Sequence, residues 1–417
     1  MNIRPYDKKR DAEAVYQIWR ETGWIEHDNE THTRAMDAFL QPSRSLVAQL
    51  NDRAECLVSC GDASIRHLGT DIPMSAVLAV TTSLIARKRG MASKVLAQAI
   101  AQEAQAGFPV SALDMFEQGY YSRLGFGTGP YEIKARFAPA QLQINHPLSS
   151  GSTLPVPVRL TNKDSGEMYE ALTRRQKGHG AVVIKHAEIF HAETLWTEEP
   201  AGLGFRDADG KLSHFIWASN KGENGPFEVK YMAYENSTQL MELLSLLRSL
   251  GDQIFVVEMM DPPEIQLQDF LNQPFMRQET TAKSDYAEAF SAHAYWQIRI
   301  NDLHQCLQHT QLPNETPLRF NLELDDPIKE FLPDDAKWTG ISGKYVVSLG
   351  AQCSAQTGRE ESLPTLTASV GGFSRLWLGC ASASAIALAG EITAEPGFLE
   401  TLDSCLRLPT PHVTMEF

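Results

Sequence analysis

The apolar pattern is clearest between residues 74 and 115, where a strand, a helix and a second strand follow one another. Residues 74–82 are rich in Val and Ala and residues 109–115 are again apolar, so both segments are predicted as strands. Residues 90–106 have a helical period, with Gly107 placed as the residue that ends the helix. The apolar face of this predicted helix consists of Met91, Val95, Leu96, Ala99 and Ile100.

A similar order recurs in the middle of the chain. A hairpin around residues 207–210 is followed by a strand at 227–234, a helix at 238–250 and an apolar strand at 253–258. The two stretches therefore predict two related α/β units, although their identity is too low to show a repeat from sequence alone. The last part differs: Leu318 to Leu324 alternate apolar and polar as a half-buried strand, and helical segments follow two further strands. This order predicts an α+β domain.

Two breaks in composition divide the chain. Residues 145–157 are rich in Pro, Ser and Gly, as linkers are, and a softer boundary lies at 291–296. The predicted domains are therefore residues 1–145, 146–296 and 297–417, each of ordinary domain size.

Charge and composition narrow the possible partners. The chain has 52 acidic and 37 basic residues, a formal charge of −15, which disfavours a nucleic-acid binder and suits a cationic partner or plain solubility. No signal peptide or membrane-spanning segment is recognisable, so a cytoplasmic location without membrane attachment is expected. The six cysteines are scattered without metal-ligand spacing, and no metal site is predicted.

The basic turn between the strand at 74–82 and the helix at 90–106 is a candidate anion-binding site. It reads Arg87-Lys-Arg-Gly90 and leads directly into the helix. The unbonded N–H groups and dipole of a helix start favour an anion, and Gly90 would let the backbone approach a pyrophosphate. The alternative is a basic helix start that faces water, but positive charge opposes the dipole at that end.

The pattern Arg87-x-x-Gly90-x-Ala92, set between a strand and an amphipathic helix, resembles the acyl-CoA signature of the GNAT acetyltransferases. Residues 119–127, with Tyr121, Gly125 and Phe126, resemble the last helix and strand of the same superfamily. The whole layout is similar to the enhanced intracellular survival (Eis) acetyltransferases. That resemblance implies an α/β (α+β) fold with tandem GNAT-type mixed sheets and flanking helices, followed by a sterol-carrier-type α+β domain.

The resemblance also implies a function. It is acetyl-CoA-dependent N-acetylation of a cationic primary amine, such as an aminoglycoside-like compound, a polyamine or a lysine, by direct transfer in a ternary complex. It implies a homo-oligomer, a hexamer in that family. The middle domain lacks the Arg-x-x-Gly element, having residues 233–238 in its place, and is interpreted as a GNAT fold without CoA.

Individual roles follow from the same resemblance. Tyr121 would be the general acid that protonates the CoA thiolate, with Tyr120 as the alternative acid. The C-terminal carboxylate of Phe417 would be the base, although this residue could instead be an apolar plug. The amine pocket would be bordered by Trp24, Glu26 and His27, which could equally form a surface turn, and by Glu416. The acetyl-CoA contacts would come from Val80, Thr82, Arg87, Lys88, Gly90, Met91 and Ala92.

A second function belongs to another class of protein. The C-terminal domain could hold an apolar ligand such as a lipid without catalysis, in a tunnel lined by Leu376, Leu378, Ile386 and Leu388. Packing in an ordinary core explains such residues more simply. The basic turn and Tyr121 favour the enzyme, since a lipid binder needs neither.

Overall fold

A computed structural model describes residues 1–115, 117–144, 156–272, 284–314 and 316–413 of the chain. The described strands are β1 Asn2–Pro5, β2 Arg44–Leu50, β3 Arg53–His67, β4 Thr70–Thr82, β5 Val110–Asp114, β6 Gly127–Thr128, β7 Glu132–Phe137, β8 Val158–Leu160, β9 Val182–Ile184, β10 Pro200–Arg206, β11 Leu212–Asn220, β12 Phe227–Ala233, β13 Val257–Met260, β14 Ala289–His293, β15 Trp296–Ile300, β16 Leu318–Asp325, β17 Gly343–Leu349, β18 Ser354–Thr357, β19 Thr365–Ser369 and β20 Ile392–Thr393. The described α-helices are α1 Lys8–Thr22, α2 Glu30–Leu40, α3 Met91–Gln105, α4 Gln118–Ser122, α5 Ser165–Arg174, α6 Ala187–Trp196, α7 Ser237–Ser249, α8 Leu303–Gln308, α9 Val370–Trp377, α10 Ala383–Leu388 and α11 Pro396–Cys405.

These strands form three sheets that contain both parallel and antiparallel pairs. The first has the order β1-β2-β3-β4-β5-β15-β6, with β9 added beside β3. The second has the order β14-β7-β13-β12-β11-β10-β8, and the third has the order β18-β17-β16-β19-β20. The predicted α/β class, with mixed sheets in tandem and flanking helices, is confirmed.

The first two sheets exchange strands with one another. Strand β7 lies before the predicted domain limit at residue 145, yet it pairs antiparallel with β13 of the second sheet, with Phe137 opposite Val257. Strand β15 follows the second unit in the chain, yet it pairs with β5 of the first sheet, with Ile298 opposite Ala112. Each of the two sheets is therefore completed by strands from elsewhere in the chain, since β9 also joins the first sheet beside β3. The three domain limits stay a prediction.

The two exchanged sheets repeat one local arrangement. Helix α3 connects the parallel strands β4 and β5, and α7 connects the parallel strands β12 and β13. All five residues of the predicted apolar face of α3 are buried, which confirms the periodicity. These five residues and one face of the first sheet form one apolar cluster. The other face of the first sheet belongs to a larger cluster, which also contains residues of the second and third sheets.

The third sheet supports the predicted α+β arrangement of the last part. Phe320, Leu322 and Leu324 of β16 are buried as predicted, but Leu318 is half-buried and Asn321 is buried too, because its amide donates to the carbonyls of Glu360 and Leu363. Helices α9 to α11 correspond to the three predicted helical segments. Among the described helices, none combines the length and the apolar character needed to cross a membrane.

Candidate active site

The candidate site lies where the two parallel strands β4 and β5 separate. Their pairing ends at Val77 opposite Leu113, although β4 continues to Thr82 and remains paired with β3 over that length. The separation opens a cavity of about 270 Å³ between the strands. Its lining consists of Trp24, Val77, Leu78, Ala79, Val80, Leu113, Asp114, Met115 and Tyr121.

A bulge in β4 explains why the strands separate at this point. Ser59 lies opposite Ala79 and Cys60 opposite Val77, so Leu78 is an extra residue on β4. A bulge bends its strand and increases the local twist, which carries the end of β4 away from β5. Val80 of the predicted CoA strand lines the cavity, whereas the hydroxyl of Thr82 contacts the Cys56 thiol, 3.4 Å away on β3.

The predicted basic turn follows the free end of β4. Arg87, Lys88 and Gly90 are all exposed, and Lys88 (φ +60°) and Gly90 (φ +71°) both adopt the left-handed conformation that glycine favours. Gly90 is the N-cap of α3 and offers no side chain to its first N–H groups. Met91 is buried in the core and Ala92 is half-buried, so the turn presents main-chain donors and cations at the surface.

Two adjacent tyrosines occupy different surroundings on the short helix α4. Tyr121 is 3% exposed and lines the cavity, and burial holds its pKa above the usual value. The Tyr120 hydroxyl accepts a hydrogen bond from Ser93 of α3 (3.2 Å), and the Arg123 guanidinium covers its ring. The geometry therefore favours Tyr121 over Tyr120 for contact with a ligand in the cavity.

The other residues predicted for the amine pocket are only partly brought together. Trp24 lines the cavity and packs edge-on against Trp19, with ring centroids 5.1 Å apart. Glu26 is exposed, its carboxylate accepts a hydrogen bond from the Asn29 amide (2.9 Å), and it is not among the lining residues of the cavity. His27 is also exposed and borders a separate surface depression.

Sequence reasoning missed one polar residue of the cavity. Asp114 is the last residue of β5 and lines the cavity together with Tyr121. A signal for it was present, because a carboxylate directly after an apolar parallel strand lies at the carboxyl edge of the sheet, where ligands of α/β folds bind.

The last described residues, His412 and Val413, contact residues of the first two sheets. Glu416 and Phe417 lie outside the described residues, but Val413 is fully buried. The Val182 N–H donates to the Val413 carbonyl (3.0 Å), and the Val413 N–H donates to the carboxylate of Glu132 (3.3 Å). The Nδ1 atom of His412 lies 2.8 Å from the same carboxylate. The buried Glu132 thus anchors the last described residues by two contacts.

The second unit contains a comparable opening between its own parallel strands. Only Phe227 and Glu228 of β12 pair with β13, and a second cavity lies where the strands separate. Tyr295 lines this cavity, and its carbonyl accepts a hydrogen bond from Met115 of the first cavity (2.5 Å). Here, however, the Asn236 side chain caps α7 by accepting from the Gln239 N–H (3.1 Å). The helix start that is open to an anion in the first unit is capped by a side chain in the second.

Comparisons with known proteins show which proteins this chain is similar to. Residues 2–129 match the family model of the acetyltransferase (GNAT) domain. An uncharacterized N-acetyltransferase of Streptomyces avermitilis is 23% identical, over 98% of this chain and 96% of its own length. Residues 2–129 therefore form a GNAT acetyltransferase domain, and the chain is an acyltransferase.

Solved structures extend the likeness in fold to the full chain. A probable N-acyltransferase from Enterococcus faecalis has a TM-score of 0.80 at 14% identity, covering 100% of this chain and 99% of that one. Eis1 from Mycobacterium abscessus has a TM-score of 0.76 at 17% identity, covering 100% of both chains. A GCN5-related N-acetyltransferase from Anabaena variabilis has the same TM-score at 16% identity, again covering 100% of both.

The ion pair that anchors the chain end gives a pH-dependent prediction. Glu132, with Asp261 and Glu264 nearby, raises the pKa of His412 above its usual value. A raised pKa adds stability that is fully present below the unfolded pKa of about 6.5 and is lost as the pH rises through the folded value. Glu132→Gln should therefore cost about 2 kcal/mol of unfolding free energy at pH 6 and clearly less at pH 9, measured by denaturant unfolding.

The control places Glu132→Gln in a His412→Asn background, where the difference between the two pH values should vanish. An equal loss at pH 6 and pH 9 in the otherwise unchanged chain would contradict the ion pair.

Proposed function

We propose that this acyltransferase moves the acetyl group of acetyl-CoA to a cationic primary amine by direct attack in a ternary complex. The observation that carries the proposal is that one strand, β4, borders both the cavity and the basic turn. Beyond Val77, β4 borders the cavity that contains Tyr121, and the same strand then leads into the basic turn before α3. One extended ligand with an anionic end and a reactive end would fit both features.

The anionic end of acetyl-CoA would lie at the basic turn. The main chain of 90–92 would bind the pyrophosphate together with Arg87 and Lys88, because helix-start N–H groups and cations favour phosphate oxygens. The pantetheine arm would then run along the unpaired edge of β4 past Thr82 and Val80, as an added strand does. The cap of Asn236 on α7 supports the interpretation that the second unit does not bind CoA.

The chemistry at the reactive end needs one acid and one base. The amine attacks the thioester carbonyl, a C–N bond forms, the C–S bond breaks, and the thiolate takes a proton from Tyr121. Tyr121 carries this proton at neutral pH, because the usual tyrosine pKa of about 10 already lies above 7 and burial raises the pKa further. Before the attack, the C-terminal carboxylate of Phe417 would take one proton from the substrate ammonium, and after the attack the nitrogen would lose a second proton, which restores the proton of Tyr121. The burial of Val413, four residues before Phe417, supports this role.

The amine would be recognised by its positive charge. Trp24 and Asp114 both line the cavity, so an indole ring and a carboxylate would lie beside a bound cation. Glu416, next to the proposed base, would add a second carboxylate, whereas Glu26 does not line the cavity and would not contact the amine there. Polyamines, aminoglycoside-like compounds and lysine side chains share this chemistry. A cytoplasmic homo-oligomer and a sterol-carrier-type third domain stay predictions.

The apolar-ligand alternative is less well supported. Leu376, Leu378 and Ile386 are at most 1% exposed and pack in the main apolar cluster. Leu388 is 92% exposed and points away from any such core. Side chains already packed against each other give no reason to invoke a ligand.

The first test is CoA release from acetyl-CoA with a panel of polyamines, aminoglycosides and lysine peptides. Tyr121→Phe should lower kcat by about 10²- to 10⁴-fold, since general acid catalysis contributes that range, and should leave the KM for acetyl-CoA near its original value. Tyr120→Phe is the matched control and should lose much less, because the Tyr120 hydroxyl interacts with Ser93 and Arg123 and its residue does not line the cavity. The reverse ranking of the two variants would assign the acid to Tyr120.

The base is tested by the position of the terminal carboxylate. A chain that ends at Glu416 should lose kcat by about 10²-fold or more, because the proton acceptor moves away from the amine. Phe417→Leu keeps both the carboxylate and an apolar side chain and should retain most of the activity. If the shortened chain turned over like the full one, the terminal carboxylate would not be the base.

A further inference from the structure

Tyr121 stands on a helix that cannot fix its own position. Helix α4 has five residues, and its N-cap Glu117 makes no side-chain capping bond. A single helical turn is unstable alone, because nucleation costs more than one turn of hydrogen bonds returns. The position of the Tyr121 hydroxyl must therefore be set by the surrounding protein.

Two buried polar side chains of the exchanged strand β15 hold the chain just after Tyr121. Gln297 and Arg299 are two residues apart, so they project from the same face of the strand. The Gln297 amide lies within 3.3 Å of the Ser122 hydroxyl and donates to Thr128 Oγ1 (2.9 Å). Arg299 Nη1 donates a short hydrogen bond to the Leu124 carbonyl.

The guanidinium of Arg299 is fixed by the third unit, the part of the chain that contains the third sheet (β16 to β20). Arg299 Nη2 lies 2.7 Å from Oδ2 of Asp326, which directly follows β16, and both side chains have no exposed surface. Arg299 Nε donates to the Asn301 amide oxygen (2.9 Å). Asp326 also accepts from the Ile341 N–H (3.0 Å). Because every one of these groups is buried, moving the guanidinium would leave charges without partners.

The turn between Tyr121 and the third unit has no spare room. Gly125 has φ +84°, and a Cβ atom there would lie 2.5 Å from Val370 of α9 and 2.9 Å from Arg299 Nη1. Leu124, whose carbonyl accepts from Arg299, also donates its N–H to the Tyr121 carbonyl (2.9 Å). Leu124 is therefore hydrogen-bonded to both Arg299 and Tyr121. A shift of Arg299 would therefore reach Tyr121 through one residue.

We propose that Arg299 is a positioning residue for Tyr121 and that Asp326 fixes Arg299. The proposal rests on the proposed function, in which Tyr121 is the general acid. It gives the third unit a part in the reaction without any ligand of its own, since its carboxylate sets the placement of an acid in the first unit. It also gives a purpose to the exchanged strand, which carries both Gln297 and Arg299.

A double-mutant cycle on the full chain tests the proposal, with the most active amine of the panel. Arg299→Lys keeps a charge for Asp326 but lacks the fork that reaches Leu124 as well. It should lower kcat at least about tenfold with little change in the KM for acetyl-CoA, because small displacements of a reacting group are costly. In a Tyr121→Phe background the same substitution should have almost no further effect on kcat.

Arg44→Lys is the matched control. Arg44 forks onto the buried Glu103 near the end of α3 that is remote from the basic turn. Arg44→Lys should change kcat by the same factor in the otherwise unchanged chain and in the Tyr121→Phe background, because Arg44 does not act through the tyrosine.

The outcomes separate the two proposals. An equal loss from Arg299→Lys in both backgrounds would show a merely structural role and overturn the positioning proposal, while a large loss from Tyr121→Phe alone would leave the acid in place. If Tyr121→Phe keeps the full kcat, both proposals fall. If Arg299→Lys does not fold, the cycle is run with Asp326→Asn, which keeps the size of the side chain but removes the charge that fixes Arg299, and the same criterion applies.

Discussion

The separation of two parallel strands after Val77 is the constraint on which the site depends. An extra residue in β4, Leu78, bends the strand away from β5 while its pairing with β3 continues. The bend leaves an edge of main-chain groups beside a cavity, and the end of the same strand delivers the chain to the basic turn at Gly90. If the two strands stayed paired, β5 would occupy the place that the proposed pantetheine arm requires.

The second unit has a similar opening between its parallel strands, and the differences between the two openings indicate which one binds a ligand. Both units have parallel strands that separate, but Asn236 caps α7 whereas Gly90 leaves the start of α3 without a side-chain cap. The second and third units instead support the first. Glu132 at the start of β7 holds the chain end, and β15 with Asp326 holds the turn after Tyr121.

The sequence predicted the local features and missed the long-range ones. Helix α3 and the turn at Gly90 were predictable because periodicity and a glycine before a helix are local signals. The placement of Glu26 was not, since its carboxylate bonds to Asn29 instead of facing the cavity. The strand predicted at 253–258 begins only at Val257, because Ile254 still donates to the carbonyl of Leu250 after α7. The exchange of β7 and β15 has no local signal, because the pattern of a strand does not identify a partner strand far away in the chain.

The proposed reaction requires that the first opening, and not the second, binds acetyl-CoA. Hydrogen–deuterium exchange of the full chain with and without acetyl-CoA tests this requirement most directly, because bound main-chain N–H groups exchange more slowly. We expect slower exchange at residues 78–82 and 90–93, with residues 229–233 of β12 unchanged. Protection of 229–233 in their place, or no protection at 90–93 under saturating acetyl-CoA, would contradict the proposed function.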